Sequence, residues 1–257
     1  MSSYKPIPAR ERRRQDAIRL NALRQASSLQ ASLLRARASE VRRVLDLCKN
    51  YDDKNYWSVV ISRNINEQPY FEKWERRLFE KTALPYAETV ARDLTKKKAA
   101  PSFFTRAIAA YAATRVGEMI VSVTGTLKKQ LISILFDELL ESPTIGVEAL
   151  VKHIRKEYNA LAAWQVRRIA QTETMIGLGR AGHAAAESLD VPYLKQWCTS
   201  GMSNVRETHA EMDGHIVEDK EPFIFDDGIL YYPHDTEHGA PASEIINCAC
   251  ACIRLPK

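Results

Sequence analysis

The sequence lacks the features of a membrane-spanning, secreted or disulfide-stabilised protein. No stretch of about 20 residues is both apolar and uncharged, and the most apolar stretch, residues 103–125, contains Arg106, Arg115 and Glu118. That stretch is therefore predicted to be a buried helix. No apolar segment follows the first residues, so we expect no cleaved secretion signal and folding in a reducing cytoplasm. Five cysteines, three of them in the last ten residues, do not form a disulfide framework.

Glycine and proline are scarce in the first two thirds of the chain. The first glycine is Gly117, and no proline lies between Pro8 and Pro69. Because these residues interrupt regular structure, the first two thirds are predicted to be mostly helical. Four of the ten glycines follow residue 190, so the last quarter is predicted to be rich in turns.

The spacing of apolar residues locates the helices. Val41, Val44, Leu45 and Cys48 recur at helical spacing and predict one long helix over 11–48. Residues 49–69 are predicted to be a connection with a short extended piece at Trp57–Ile61. Ser142-Pro143 is a helix-start signal. Further helices are predicted over 70–82, 85–98, 101–124, 126–141, 143–160 and 162–187.

The pattern changes after Pro192. A short helix is predicted at Asn204–Met212, and a last strand at Ile245–Ile253. Two apolar runs, 223–225 and 229–232, flank Asp226-Asp227-Gly228 and predict a β-hairpin. The fold class is α+β: a mostly helical N-terminal two thirds with a long basic helix, and a small C-terminal α+β module. We predict three parts, namely a basic helical arm (1–48), a helical body (49–161) and a C-terminal domain (162–257).

The net charge of +5 is unevenly distributed. Residues 1–43 carry eleven basic and three acidic side chains, an excess of eight positive charges, whereas 187–257 carry five basic and thirteen acidic ones, an excess of eight negative charges. This asymmetry indicates different partners for the two ends. Phosphate binding requires only clustered Lys and Arg, but the same arginines would also suit the solvated face of a packed helix. The candidate residues for binding nucleic acid or an acidic surface are Arg10, Arg12, Arg13, Arg14, Arg19, Arg24, Arg35, Arg37, Arg42 and Arg43.

A G-x-G-x-x-G pattern occurs at residues 177–182. It indicates a dinucleotide site only where a strand precedes it and a helix follows. The preceding residues, 164–175, have a helical pattern. Close helix packing or a helix end is therefore the favoured explanation.

Cysteine and histidine are concentrated near the C-terminus. Imidazole and thiolate are the usual ligands of zinc, which takes four in a tetrahedron. A C-x-C pair is a weaker signal than C-x-x-C, and small thiols on the core face of a strand are the alternative. On a strand all three C-terminal cysteines would face the same way. The candidate ligands of a structural zinc ion are His209, His215, Cys248 and Cys250.

Known catalytic patterns are missing or incomplete. His209-Ala210-Glu211 matches the first half of the zinc deaminase pattern, but no two cysteines are three residues apart. H-E-x-x-H, Walker A and G-x-S-x-G patterns are not present. Considered from its residues alone, the Cys/His segment leaves open a zinc-dependent enzyme acting on nucleic acid or protein.

Four landmarks follow one another between Arg168 and Ile253. They are AQTET at 170–174 with Gly179-Arg180, Trp197 ahead of VRETHAEMDG at 205–214, EPF at 221–223 with Tyr232-Pro233, and INCAC at 246–250. In this order they resemble the C-terminal domain of the phage Mu F-like minor head proteins, also called phage head morphogenesis proteins. That family has A-R-T-E-T, R-x-x-H-x-x-x-D-G and I-N-C-R-C patterns. Gln171 and Ala249 stand where the family has arginine.

The resemblance implies a minor capsid protein of a tailed phage, made in the bacterial cytoplasm and located in the virion, inside the head near the portal. It implies a role in head assembly and in DNA packaging or ejection, without catalytic activity. The implied partners are the portal protein, the capsid interior and packaged double-stranded DNA, with no membrane. The motif residues expected to be structural are Glu173, Trp197, Arg206, Asp213, Gly214, Pro233 and Asn247.

Overall fold

The computed structural model describes residues 3–96, 102–189, 191–203 and 205–257, and only the backbone of 102–120. The predicted burial of the side chains at 103–120 therefore lies outside the described residues, as do parts of the predicted helices at residues 97, 98, 101 and 204. The α+β fold class is confirmed, with a helical N-terminal part and a small C-terminal antiparallel sheet. Among the described residues, no helix has both the length and the apolar character required to cross a bilayer.

Eight α-helices and six strands are described. The helices are α1 (Ala9–Cys48), α2 (Trp57–Asn64), α3 (Gln68–Lys81), α4 (Ala83–Thr95), α5 (Ser102–Glu141), α6 (Val147–Glu187), α7 (Glu207–Glu211) and α8 (Ala242–Ile245). The strands are β1 (Ser3–Tyr4), β2 (Tyr193–Cys198), β3 (His215–Glu218), β4 (Phe223–Phe225), β5 (Gly228–Leu230) and β6 (Ala251–Pro256).

The strands form two antiparallel sheets. The larger has the order β1-β3-β2-β6, so the N-terminal strand β1 extends a sheet made from the C-terminal module. In its central strand, Gln196 is opposite Ile216 on one side and Ile253 on the other. The smaller sheet is the predicted hairpin of β4 and β5, in which Ile224 is opposite Ile229. Its turn contains two residues, Asp226 and Asp227.

The predicted long helix is confirmed as α1, which has one buried side. Its buried residues recur every three or four positions, the period of one helix face. Two of them are arginines, which the apolar pattern did not identify as buried. The buried positions spaced in this way are Gln15, Arg19, Ala22, Ala26, Leu29, Leu33, Arg37, Val41, Val44 and Cys48.

The chain divides into two compact units, each discontinuous in sequence. Unit 1 comprises Met1–Ser28, Arg76–Ala112 and Ile169–Lys257, and unit 2 comprises Leu29–Glu75 and Ala113–Arg168. Within unit 1, residues of α4 and α6 form one apolar cluster and Trp197 with Phe223, Phe225 and three cysteines form another. The core of unit 2 is built around Trp57, Leu131 and Ile154. The three-part division of the chain at 48 and 161 stays a prediction.

The predicted extended piece at Trp57–Ile61 is wrong, because these residues open helix α2. The β-branched Val59, Val60 and Ile61 favoured a strand. Val60 and Ile61 lie three and four residues after Trp57, and all three side chains are buried. This spacing places them on one side of a helix. Burial in the unit 2 core therefore outweighs local strand propensity.

Two predicted helix breaks do not occur. The helices α5 and α6 are continuous over 40 and 41 residues, although Gly125 and the region near residue 161 were predicted to interrupt them. A glycine inside a helix costs only about 1 kcal/mol relative to alanine.

The start signal at Ser142-Pro143 forms a turn, closed by a hydrogen bond from the Ile145 N–H to the Ser142 carbonyl at 3.0 Å. Helix α6 begins after this turn, at Val147.

Candidate metal centre

Three side chains of unit 1 converge in the interior of the C-terminal module. His209 lies on α7, and Cys248 and Cys250 lie between α8 and β6. The His209 Nδ1 atom is 3.5 Å from the Cys248 Sγ and 3.4 Å from the Cys250 Sγ. All three ligand atoms lie within 4.8 Å of one another, and the three residues are 1%, 3% and 3% exposed. This cluster could hold a metal ion.

Irregular backbone brings the two sulfurs to the same histidine. The predicted strand over Ile245–Ile253 is wrong, because β6 starts only at Ala251 and contains Cys252 alone of the three cysteines. Asn247 has a left-handed φ of 59°, and the Cys248 N–H donates to the Ile245 carbonyl at 3.2 Å. On a strand, residues two apart are separated by about 6.6 Å. Cys248 and Cys250 lie outside the strand, just after the turn at Asn247, so this spacing is not imposed on them.

The observed distances match the edges of a zinc tetrahedron. Zn–S bonds of about 2.3 Å and Zn–N bonds of about 2.0–2.1 Å place a sulfur and a nitrogen about 3.6 Å apart at the tetrahedral angle. The two N···S distances, 3.5 and 3.4 Å, are close to that value. In addition, the Cys250 N–H donates to the Cys248 Sγ at 3.4 Å, a contact that stabilises thiolate charge.

A buried carboxylate fixes the orientation of His209. Glu244 Oε2 lies 2.5 Å from His209 Nε2. A carboxylate can only accept here, so Nε2 carries a proton, and Nδ1 is the ring nitrogen that faces the sulfurs and could bind a metal ion. The rings of Trp197 and Phe225 pack 5.3 and 5.5 Å from the imidazole. Glu244 was not predicted, since a glutamate four residues before Cys248 carries no recognisable spacing signal.

The two sulfurs influence each other's protonation. The hydrogen bond from Cys250 lowers the pKa of Cys248 against the opposing effect of burial, and His234 and His209 lower it further. The same hydrogen bond, together with burial, raises the pKa of Cys250. A negative charge is therefore favoured on Cys248. By contrast, burial raises the pKa of Cys48 and Cys198 to about 12, so these thiols stay protonated.

The fourth predicted ligand, His215, is not part of the cluster. It lies on β3, with its ring 6.0 Å from that of Tyr4. Within the described residues, the cluster of three potential ligands contains His209, Cys248 and Cys250. A second histidine, His234, lies near the cluster and interacts with Cys248. Burial acts to lower the pKa of His234, but the neighbouring Cys248 outweighs burial and raises it.

Of the predicted motif residues around Asp213, Trp197 contacts the cluster, whereas Asp213 and Gly214 anchor the neighbouring loop and the N-terminal strand. Trp197 is fully buried beside His209. The Asp213 carboxylate accepts from the Thr199 N–H at 2.8 Å and pairs with Arg12 at 2.6 Å. Gly214 has a left-handed φ of 83°, and a Cβ there would lie 2.9 Å from the Lys5 carbonyl oxygen. The R-x-x-H-x-x-x-D-G landmark therefore positions the loop after β2 and the N-terminal strand.

The remaining motif residues connect the other landmarks. Arg206 donates to the Ile246 carbonyl at 2.6 Å, and the Asn247 N–H donates to Thr172 Oγ1 at 3.3 Å. Glu173 is buried on α6. These contacts connect the AQTET segment with the segment that carries Cys248 and Cys250.

The glycines of the G-x-G-x-x-G pattern lie inside α6 and permit close packing, as predicted. A Cβ on Gly179 would lie 2.4 Å from the Pro233 carbonyl oxygen, and one on Gly182 would lie 2.7 Å from Arg254 Nη1. The helix extends on both sides of the pattern. No strand leads into it, so the geometry of a nucleotide-binding turn is not formed by these described residues.

Five of the ten predicted binding arginines pair within the protein. Arg12 pairs with Asp213, and Arg14 with Asp93. Arg19 is buried, pairs with Asp16 and donates to the carbonyls of Ala249 at 3.2 Å and Ser200 at 3.3 Å. Arg37 is buried against Glu67 at 2.6 Å, and Arg43 pairs with Glu40 at 2.8 Å. Sequence reasoning missed these internal roles, because a buried arginine and an exposed one look alike in composition.

The other five predicted arginines lie on the exposed side of α1. Within the part of the chain that the structure describes, none of them forms an ion pair. In unit 1, Arg13 and Arg24 are three helical turns apart and share one side of the helix. In unit 2, Arg35 and Arg42 are two turns apart and do the same. The exposed arginines are Arg10, Arg13, Arg24, Arg35 and Arg42.

Comparison of the chain with protein-family models, with curated proteins and with solved structures finds no match.

Proposed function

We propose that this protein is a minor capsid protein of a tailed phage that acts inside the head near the portal. There it assists head assembly and DNA packaging or ejection. The observation that supports this function is the convergence of the landmark residues on one buried centre. Trp197 packs on His209 and on Phe223, and the Asn247 N–H donates to Thr172 Oγ1, so residues of all four landmarks contact one another beside the His209–Cys248–Cys250 cluster. Such convergence is expected if the landmarks define one folded module.

We further propose that the cluster binds a structural zinc ion. Two thiolates and an imidazole are typical zinc ligands, and the N···S distances suit a tetrahedral ion. The ion would hold the 245–250 segment against α7. A catalytic zinc keeps one position open to water or substrate. The three ligands leave a fourth position, but because they are only 1% to 3% exposed that position is shielded from water and substrate, which favours a structural ion over a zinc-dependent enzyme acting on nucleic acid or protein.

The exposed arginines of α1 supply the second part of the proposal. Duplex DNA carries about one negative charge per 1.7 Å of axis, and binding it requires clustered cations without a particular geometry. The exposed arginines that are not paired internally would contact packaged DNA or an acidic inner surface of the portal or capsid. The acidic C-terminal module would be repelled by DNA and would dock on protein.

Co-purification tests the location of the protein. Co-expression with the portal protein of the same phage is expected to yield a complex that elutes with the portal ring. Purified heads are expected to contain the chain before DNA release, whether or not it then leaves with the DNA. A protein that remains separate from both portal and heads would contradict the assignment. Elemental analysis of the purified chain is expected to give one zinc per molecule, and a metal-free, folded protein would disprove the zinc site.

Salt-dependent binding to duplex DNA tests the role of the arginines. The variant Arg35→Gln/Arg42→Gln is expected to reduce the slope of log affinity against log salt by about two, because each lost phosphate contact removes about one. The matched control is Arg43→Gln, whose guanidinium already pairs with Glu40. An unchanged slope in the double variant would contradict DNA contact by these residues.

A further inference from the structure

The hairpin of unit 1 presents an apolar pair beside an acidic turn. Ile224 and Ile229 are cross-strand neighbours and are 72% and 38% exposed. Their strands turn Phe223 and Phe225 into the core, so the isoleucines point to the opposite face. The exposed turn residues Asp226 and Asp227 form no ion pair within the described residues. The hairpin tip is therefore an apolar patch edged by two unpaired carboxylates.

The N-terminal part of α1, also in unit 1, presents the complementary arrangement. Leu20 is 50% exposed and lies two turns after Arg13 and about one turn before Arg24. Residues four and seven apart share one side of a helix. Both arginines are exposed and have no ion-pair partner among the described side chains. This surface is an apolar side chain between two unpaired guanidiniums.

We propose that the hairpin tip of one copy docks on residues 13–24 of α1 of a second copy of this chain. Ile224 and Ile229 would cover Leu20, and the aspartates of the turn would pair with Arg24, about 6 Å from Leu20 along the helix axis, or with Arg13, about 10 Å away on its other side. Because the two surfaces differ, copies would pair either reciprocally in a two-fold dimer or head to tail in a ring or an open chain. The inference rests on the proposed function, since it identifies an acidic protein surface that the basic helix contacts.

Charge complementarity argues for a second copy as the partner. The N-terminal segment carries an excess of eight positive charges and the C-terminal segment an excess of eight negative charges. Internal pairs already occupy Arg12, Arg14 and Asp213. Arg13, Arg24 and the Asp226-Asp227 turn remain for intermolecular pairing. Exposed pairs of this kind are screened by salt, so the association should be weak and salt-dependent.

Charge reversal tests the proposal in the absence of DNA and portal protein. Sedimentation velocity of the full chain is expected to show association that grows with protein concentration and falls with salt. Asp226→Lys/Asp227→Lys and Arg13→Glu/Arg24→Glu are each expected to weaken self-association about tenfold or more. Mixing the two variants is expected to restore association, because each supplies the partner surface that the other has lost.

The matched control is Arg35→Glu/Arg42→Glu, which makes the same charge change in unit 2 and is expected to leave self-association unchanged. Circular dichroism checks the fold of every variant. A wild-type chain that is monomeric at all concentrations, or a mixture of the reversed variants that stays monomeric, would overturn the proposal. Either result would leave the portal and zinc experiments unaffected, so failure of this inference is distinguishable from failure of the proposed function.

Discussion

The hydrogen bond between Glu244 and His209 allows a quantitative test of the proposed zinc site. Glu244→Gln preserves size but removes the charge that holds the Nε2 proton of His209, 2.5 Å away. Replacing the carboxylate partner of a metal-binding histidine typically weakens metal affinity by about 10- to 100-fold. We expect the loss of zinc affinity in Glu244→Gln to be near 10-fold, about the lower end of that range, since the amide oxygen can still accept the hydrogen bond from Nε2–H.

The loss of zinc affinity in Glu244→Ala should lie near the upper end of this range, about 100-fold. This substitution leaves the buried Nε2–H of His209 without a partner, a desolvation cost of about 1–3 kcal/mol. Zinc binding fixes the ring, so this cost falls on the zinc-bound state. Because a tenfold change in affinity corresponds to about 1.4 kcal/mol, it predicts a loss of roughly 5- to 140-fold. The alanine variant should therefore bind zinc at least as weakly as the glutamine variant.

Competition with a chromophoric zinc chelator measures both affinities. Glu211→Gln is the matched control, because Glu211 lies on the same helix as His209 but is exposed. Thermal unfolding with zinc present supplies a second measurement. Zinc at about 100 times its dissociation constant stabilises the folded state by about 2.7 kcal/mol, and a hundredfold loss of affinity removes most of that gain.

Folded Glu244 variants that bind zinc as tightly as the Glu211→Gln control would refute this reasoning. They would show that His209 is oriented by other contacts or that it is not a ligand. Weakening by His209→Ala without an effect at Glu244 would show that His209 is a ligand and that Glu244 packs beside it without orienting it.

Three further predictions concern stability. Arg37→Ala should cost about 3–5 kcal/mol in urea unfolding, because it leaves Glu67 charged and buried without its partner; a cost below 1 kcal/mol would contradict the importance of this pair. Gly179→Ala should cost about 1–3 kcal/mol, since its Cβ would clash with backbone 2.4 Å away, and an equally stable variant would refute the close packing. Burial raises the pKa of Asp213, but hydrogen bonds, chiefly from Arg12, outweigh it and lower the pKa overall. The stability gained from this lowering is present above the ordinary pKa of about 3.9 and is lost as the pH falls below it. Arg12→Gln should therefore flatten the decline of the urea midpoint below about pH 4, and parallel curves for variant and wild type would contradict this prediction.

Local sequence signals predicted the regular elements well where burial and propensity agree. The absence of glycine and proline between Pro8 and Pro69 and the regular apolar spacing predicted α1. Alternating aromatic and β-branched residues around Asp226-Asp227 predicted the hairpin. At Trp57–Ile61 the two signals disagree, since strand propensity favours extension and burial favours a helix. The core decided that segment, so propensity alone gave the wrong structure.

The candidate site was predicted only in part. His209, Cys248 and Cys250 were identified by residue type, which indicates what they can bind. His215 was included for the same reason and lies elsewhere. Glu244 was missed because a supporting carboxylate is recognised only by its contact with the ligand, and that contact spans 35 residues.

The sequence by itself determined the long helix, the α+β class and the residue types of the candidate metal site, because these follow from local periodicity and side-chain chemistry. Only the tertiary structure decided which arginines remain available to a partner. Arg19 and Arg37 lie on the buried side of α1, whereas Arg13 and Arg24 lie on its exposed side. The tertiary structure also decided which ligands meet, because the left-handed turn at Asn247 and the packing of α7 together set the distances between His209 and the two sulfurs.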